Sequence, residues 1–243
     1  MMNDQTADAV VRSLALKAVG LTGADIERVV REARKTARRE KRELAYSDIA
    51  DRLESGKPKR SEESRWRRAV HEAGHVVARY HLGQGSIEAV TINGPSGRSY
   101  VDGREDLDTL DMEEAYAARI ISILAGRAAE EVVLGTPSLG SGGSDQSDLA
   151  KATEIALALE TVLGTGAVNR LVHTATVSPI DKMAALNVSA AVNNRLENAY
   201  EISIEIVTRF QSELLKIAQE LVLKETMAKE EIETYLSLVN RQI

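Results

Sequence analysis

Apolar residues recur at three- and four-residue spacing along most of this chain, a period that predicts a mainly α protein. Helices are expected near residues 6–18, 23–43, 47–54, 62–81, 111–134 and 147–163, with two long ones over 189–222 and 228–240. The period changes between Gly83 and Asp111. There Ile87, Val90 and Ile92 read as a short strand, Asn93-Gly94-Pro95-Ser96-Gly97 as a turn, and Ser99-Tyr100-Val101 as the returning partner. The expected architecture is a helical array built around the 62–81 helix, carrying one small β-hairpin. Ser55-Gly56-Lys57-Pro58 sets glycine, proline and charge between two helical patterns, so a domain boundary is expected there, with residues 1–56 before it and 57–243 after it.

At 243 residues and 43% hydrophobic content the chain can bury a substantial core. It has no cysteine, which excludes disulfides and thiolate metal ligands. No run of eighteen or more apolar residues appears, and the N-terminus lacks the pattern of a secretory signal, so a soluble chain is expected. Net charge is −6, yet Arg28, Arg31, Arg34, Lys35, Arg38, Arg39, Lys41 and Arg42 crowd one predicted helix. Glu27, Glu32, Glu40 and Glu43 alternate with them, as on a solvated or intersubunit face. Only 3% of residues are aromatic, leaving little to stack on bases, and no nucleic-acid partner is expected. Trp66 reads as a packing anchor.

The chemistry is concentrated in His71-Glu72-Ala73-Gly74-His75, inside the 62–81 helix. Four residues advance a helix by little more than one turn, which puts both imidazoles on one face about 6 Å apart, where one divalent cation can take both. Glu72 lies roughly 100° around the helix, so its carboxylate suits a general base better than a ligand. A cation there would acidify water and polarise a carbonyl, the chemistry of peptide hydrolysis. Nitrogen and oxygen ligands with two histidines favour Zn2+. Gly74 weakens the helix by about 1 kcal/mol relative to alanine, and close packing of another backbone or of the site is the expected compensation.

A third ligand has three possible sources in the residues themselves. His81 stands six residues past His75, but on a continuing helix it points away from the pair, and it reads plainly as a helix-end histidine. Glu130 and Glu131 read as a salt-bridged helix face, with a carboxylate ligand or a hydrogen bond to a liganding histidine as the other uses. Asp148, in Gln146-Ser147-Asp148-Leu149, reads as the cap of the helix that follows it.

His71-Glu72-Ala73-Gly74-His75, then Gly126-Arg127-Ala128-Ala129-Glu130-Glu131, then Ser147-Asp148-Leu149 leading to Ala152-Thr153, in that order, resemble the peptidase domain of the FtsH family of AAA-linked zinc metalloproteases. Asn194 to Tyr200 and Leu223-Lys224-Glu225-Thr226 look like that family's closing helices, and Leu21-Thr22-Gly23-Ala24-Asp25-Ile26 like the end of its ATPase lid. Thr22 and Asp25 are equally well explained as a capping box. The resemblance implies zinc on His71, His75 and Asp148, with Glu72 as base. It also implies hexameric rings, unfolded or motor-delivered polypeptide as substrate, and a substrate-binding role for the Ser99-Tyr100-Val101 strand. No stretch fits a phosphate-binding loop with its lysine and hydroxyl, so an AAA ATPase module is expected in a longer parent chain or in trans. Such a parent would place this unit on the cytoplasmic side of a membrane anchor. The polar residues Arg98, Asp102, Arg104, Glu105 and Asp106 depart from the family's usual strand, which leaves a catalytically idle assembly or regulatory module as the alternative.

Overall fold

The computed structural model describes residues 4–55, 59–94, 98–104, 112–171, 173, 174 and 178–236. Among them the first three helices, α1 (Asp4–Lys17), α2 (Gly23–Arg39) and α3 (Tyr46–Glu54), share a small core of Ala18, Val29 and Leu53 flanked by Leu14, Leu21 and Ile49. Thr22 and Asp25 make a reciprocal cap, with the Asp25 amide donating to the Thr22 hydroxyl at 3.2 Å and the Thr22 amide to the Asp25 carboxylate at 3.3 Å. α2 buries Val29, Ala33 and Ala37 and turns its cations outward, where Arg28 and Arg31 pair with Asp25 and Glu27. It stops at Arg39 rather than 43, because Lys41 takes a left-handed conformation (φ 52°) and Arg42 folds back to donate two 2.6 Å hydrogen bonds to Asp48. Gly56 to Pro58, at the expected boundary, lie outside the described residues.

The central helix α4 spans Glu62–His81, the bounds its pattern predicts. Ser61 caps it by accepting the Ser64 amide at 3.2 Å, and Ala69, Val70, Ala73, Val76, Val77 and Ala78 are wholly buried. Trp66 packs against this core. β1 (Ser86–Thr91) follows and pairs antiparallel with β2 (Tyr100–Arg104), with a register shift between Ile87 and Ala89. Pro95 to Gly97 of the expected turn lie outside the described residues, as do Glu105 and Asp106. α5 (Glu113–Leu134) lies tightly beside α4. A Cβ on Gly74 would come within 2.5 Å of the Ala125 carbonyl oxygen and 2.6 Å of the Ala129 Cβ. Gly74 is thus where the two helix backbones meet.

α6 (Asp148–Thr161), α7 (Pro179–Leu186) and α8 (Ser189–Arg209) follow, and α6 and α8 pack on the other face of α5 through Ile120, Leu124, Ala156, Leu159 and Val192. α9 (Gln211–Lys224) covers α4 with Leu214, Ile217 and Leu221, all inaccessible to solvent; burying each is worth roughly 1.5–3 kcal/mol. β3 (Thr226–Ala228) and α10 (Lys229–Leu236) close the described fold. No helix among the described residues is long and apolar enough to cross a membrane.

Two further helix expectations need correction. The helix expected over 189–222 is two, parted at Phe210 (φ −108°, ψ 28°). The Phe210 ring stacks on His81, with centroids 3.4 Å apart and planes 8° apart, and the break lets α9 cross α4. The expected β1–β2 hairpin is present, and a third strand extends it into a sheet of order β2-β1-β3, because Glu225 ends α9 in a left-handed conformation (φ 62°) and returns Thr226 to Ala228 along β1. α7 stands where no helix was expected, started by Ser178 before Pro179 and stopped by left-handed Asn187. α10 begins at Lys229; residues 237–240 of the helix expected there lie outside the described residues.

Candidate metal centre

α4 presents His71 and His75 toward α5 with their ring nitrogens already oriented. The His75 Nδ1–H donates to the Ser122 carbonyl at 2.8 Å, and His71 Nδ1 lies 2.8 Å from a Glu130 carboxylate oxygen. A carbonyl and a carboxylate only accept, so both Nδ1 atoms carry hydrogen and each neutral ring turns an Nε2 lone pair outward. The two Nε2 atoms are 3.1 Å apart. Gly126 on α5 makes the room, since a Cβ there would stand 2.5 Å from His75 Nε2 and 2.7 Å from His71 Nε2.

α6 brings in the third group. Its cap is Ser147, whose hydroxyl accepts the Ala150 amide at 3.2 Å, and not Asp148 as the plain sequence reading has it. Asp148 is the first helical residue, and its carboxylate is free to face the histidines. Its Oδ2 lies 3.0 Å from His71 Nε2 and 3.4 Å from His75 Nε2, and one ligand atom from each of the three residues lies within 4.8 Å of the others. Three acceptors pointed at one another repel unless a proton or cation stands between them, so this donor set fits a divalent metal. Without metal a proton does the work. Burial alone would pull the His71 pKa down, but the hydrogen bonds to Asp148 and Glu130, with the charge of Glu72, push it up to about 10. Burial likewise opposes the Asp148 charge, and the two histidines outweigh it and hold that carboxyl well below the usual range.

Glu130 takes the other use foreseen for it. It is salt-bridged, to Arg67, but buried at 2% exposure rather than on a solvated face. It accepts from His71, from the Arg67 guanidinium at 2.9 Å, and from the Ser138 amide at 2.7 Å and hydroxyl at 3.0 Å. These donors outweigh burial and hold its pKa down to about 2, so it stays charged against His71 Nδ1–H and fixes that ring. The same contacts tie the loop after α5 to the site. Glu131 instead accepts from the Tyr200 hydroxyl at 2.6 Å. His81 lies at the far end of α4, stacked on Phe210 and 3.9 Å from buried Glu213.

His71, Glu72, His75 and Asp148 line one cleft of about 330 Å³, together with Arg79, Lys151, Ser122, the β2 residues Tyr100 and Val101, and Ser99, which stands just before the strand rather than in it. Glu72 is 3% exposed, so its carboxylate is sheltered from bulk water but reaches the cleft wall. Among the described residues β2 is the sheet's edge, with β1 on one side only. Gly126 and Ser122 are the site residues that motif reading passed over. Gly126 had a signal, a glycine inside a helical run; a backbone carbonyl such as that of Ser122 has none.

Comparison with known proteins bears on this geometry. The profile of peptidase family M41 matches residues 59–235. ATP-dependent zinc metalloprotease FtsH of Mycobacterium tuberculosis is 31% identical, over 97% of this chain and 34% of its own. FtsH 2 of Sphaerobacter thermophilus is 28% identical over 92% of this chain and 36% of its own. FTSH 6, chloroplastic, of Oryza sativa is 27% identical with the same coverage of both chains. The chain thus spans about a third of the length of these curated relatives.

Proposed function

The chain belongs to peptidase family M41, and on that premise we propose that it is a zinc-dependent endopeptidase acting on unfolded or motor-delivered polypeptides. The observation that carries the proposal is the convergence of two outward Nε2 lone pairs and the Asp148 carboxylate in a cleft that Glu72 also lines. His71, His75 and Asp148 would hold the zinc, which when bound supplies Lewis acidity toward a peptide carbonyl and lowers the pKa of water. Glu72 takes the proton from the attacking water on its carboxylate and passes it to the departing amine nitrogen. Glu130 and the Ser122 carbonyl keep the two histidines in the tautomer the metal needs. Ser99, Tyr100 and Val101, at the start of an edge strand that borders the cleft, bind substrate by adding it as a further strand.

Residues 1–56 are read as the tail of an AAA lid and 57–243 as the peptidase unit; the separate small core of α1 to α3 supports that division. The relatives' names include ATP dependence, which supports assigning the unfolding motor to an AAA module in a longer parent or in trans; a hexameric ring of peptidase units on the cytoplasmic side is part of the same proposal. The test is hydrolysis of an unfolded protein such as casein by zinc-loaded wild type and Glu72→Gln. Turnover lost in the variant with zinc retained supports the reading. A zinc-loaded wild type that assembles and hydrolyses nothing supports the idle module instead.

A further inference from the structure

Arg79 stands one turn beyond His75, on the same face of α4 as both histidines, and lines the same cleft. Its Nε donates to the Gln84 carbonyl at 3.2 Å, in the connection between α4 and β1. Its guanidinium lies against the backbone of β2, because a Cβ on Gly103 would stand 3.0 Å from Nη2 and 3.2 Å from Cζ. Residues alternate along a strand, so Gly103 faces the same side as Val101, which packs into the core around α4. The register shift between Ile87 and Ala89 falls beside Gly103 and interrupts the β1–β2 ladder there. The end of the edge strand is therefore supported from below by a side chain of the helix that carries the histidines.

We propose that Arg79 is a positioning residue for substrate: it sets the height of β2 above α4, so that extended polypeptide added to that edge passes through the cleft beside Glu72. This rests on the peptidase reading above. Two features of the side chain suit the task. The planar guanidinium can lie flat under a glycine, and the Nε hydrogen bond to Gln84 fixes its plane, which a lysine ammonium cannot reproduce.

The test uses the zinc-loaded chain with Glu72→Gln, so that peptide binds without being cut. Arg79→Met keeps the stem and removes the guanidinium, and Arg79→Lys keeps the charge. A fluorescent extended peptide is expected to bind about tenfold more weakly to Arg79→Met, with Arg79→Lys between it and the parent. Amide hydrogen exchange at residues 100–104 should accelerate in Arg79→Met, while the zinc content and the exchange of α4 around His71 stay as in the parent. Unchanged affinity and unchanged exchange would overturn the proposal. So would weaker binding with unchanged β2 exchange, which would make Arg79 a direct peptide contact. Failure of the peptidase reading itself shows separately, as a Glu72-intact protein that holds zinc without cutting casein; the β2 exchange still decides the role of Arg79.

Discussion

Replacing Gly126 by alanine should remove zinc without unfolding the protein. The added methyl carbon would stand 2.5 Å from His75 Nε2, 2.7 Å from His71 Nε2 and 2.8 Å from His71 Cε1. Ordinary van der Waals contact between such atoms begins near about 3.5 Å, so the rings must retreat by about 1 Å. Metal–ligand distances tolerate only about 0.2 Å, and both rings are pinned from behind by Glu130 and Ser122. Zinc affinity should therefore fall by at least about 100-fold, more than the usual loss of an outer hydrogen bond to a ligand. Fold stability without metal should change little or fall modestly, because the gain of about 1 kcal/mol for alanine over glycine in a helix interior opposes an overpacking cost of about 1–3 kcal/mol for displacing the two rings. The assay is zinc competition with a chromophoric chelator, paired with thermal melts in excess chelator. Wild-type zinc affinity in Gly126→Ala would show that the two rings do not hold the metal from where they stand beside Gly126. Gly74→Ala is the contrasting variant. Its methyl meets the Ala125 carbonyl oxygen and the Ala129 Cβ rather than the histidine rings, and overpacking of that kind costs about 1–3 kcal/mol, so its chelated melt should fall while its zinc affinity falls far less than that of Gly126→Ala.

Further outcomes are expected at the ligands' partners. Glu130→Gln removes the charge that fixes His71 and should lower zinc affinity by about 10- to 100-fold, read in the same chelator competition; an unchanged constant would mean that Glu130 only ties down the loop at Ser138. His81→Ala should retain stoichiometric zinc, since its ring serves the Phe210 stack, and elemental analysis showing zinc loss would contradict that. In the metal-free protein the His71 pKa is raised from 6.5 to about 10, so its proton contributes stability that is fully present below about 6.5 and is lost as pH rises through about 10. The melting temperature in chelator should therefore decline from about pH 7 to 10, and less so in Asp148→Ala. A decline of the same size in both would count against the His71–Asp148 contact.

The helix that carries the two histidines was legible to the residue, because Ser61 offers a cap and a continuous apolar stripe runs to His81. Close approach at Gly74 was legible too, since a glycine inside a strong helical pattern asks for a compensating contact. Other features were hidden by their distance along the chain. Phe210 breaks α8 from α9 through a stack with His81, and nothing local in Arg209-Phe210-Gln211 announces the break. β3 is a three-residue strand whose existence depends on β1, far from it in sequence. Glu130 reads as one of two equivalent glutamates until α4 shows which of them meets His71. For Asp148 the local signal was ambiguous, because serine and aspartate both cap helices and stand side by side. The hydroxyl of Ser147 takes the cap and leaves the carboxylate over. α7 is the miss with a local signal, a Ser-Pro start three residues before Asp181.

If His71, His75 and Asp148 together hold one zinc ion that the chain uses for hydrolysis, removing the carboxylate must remove the metal. Elemental analysis of wild type and Asp148→Ala, each reconstituted with zinc and passed through a weak chelator, tests it most directly. About one zinc per chain is expected in wild type and nearly none in the variant, in keeping with a three-ligand site that loses its only carboxylate. Equal zinc in both proteins would contradict it and place the third ligand elsewhere.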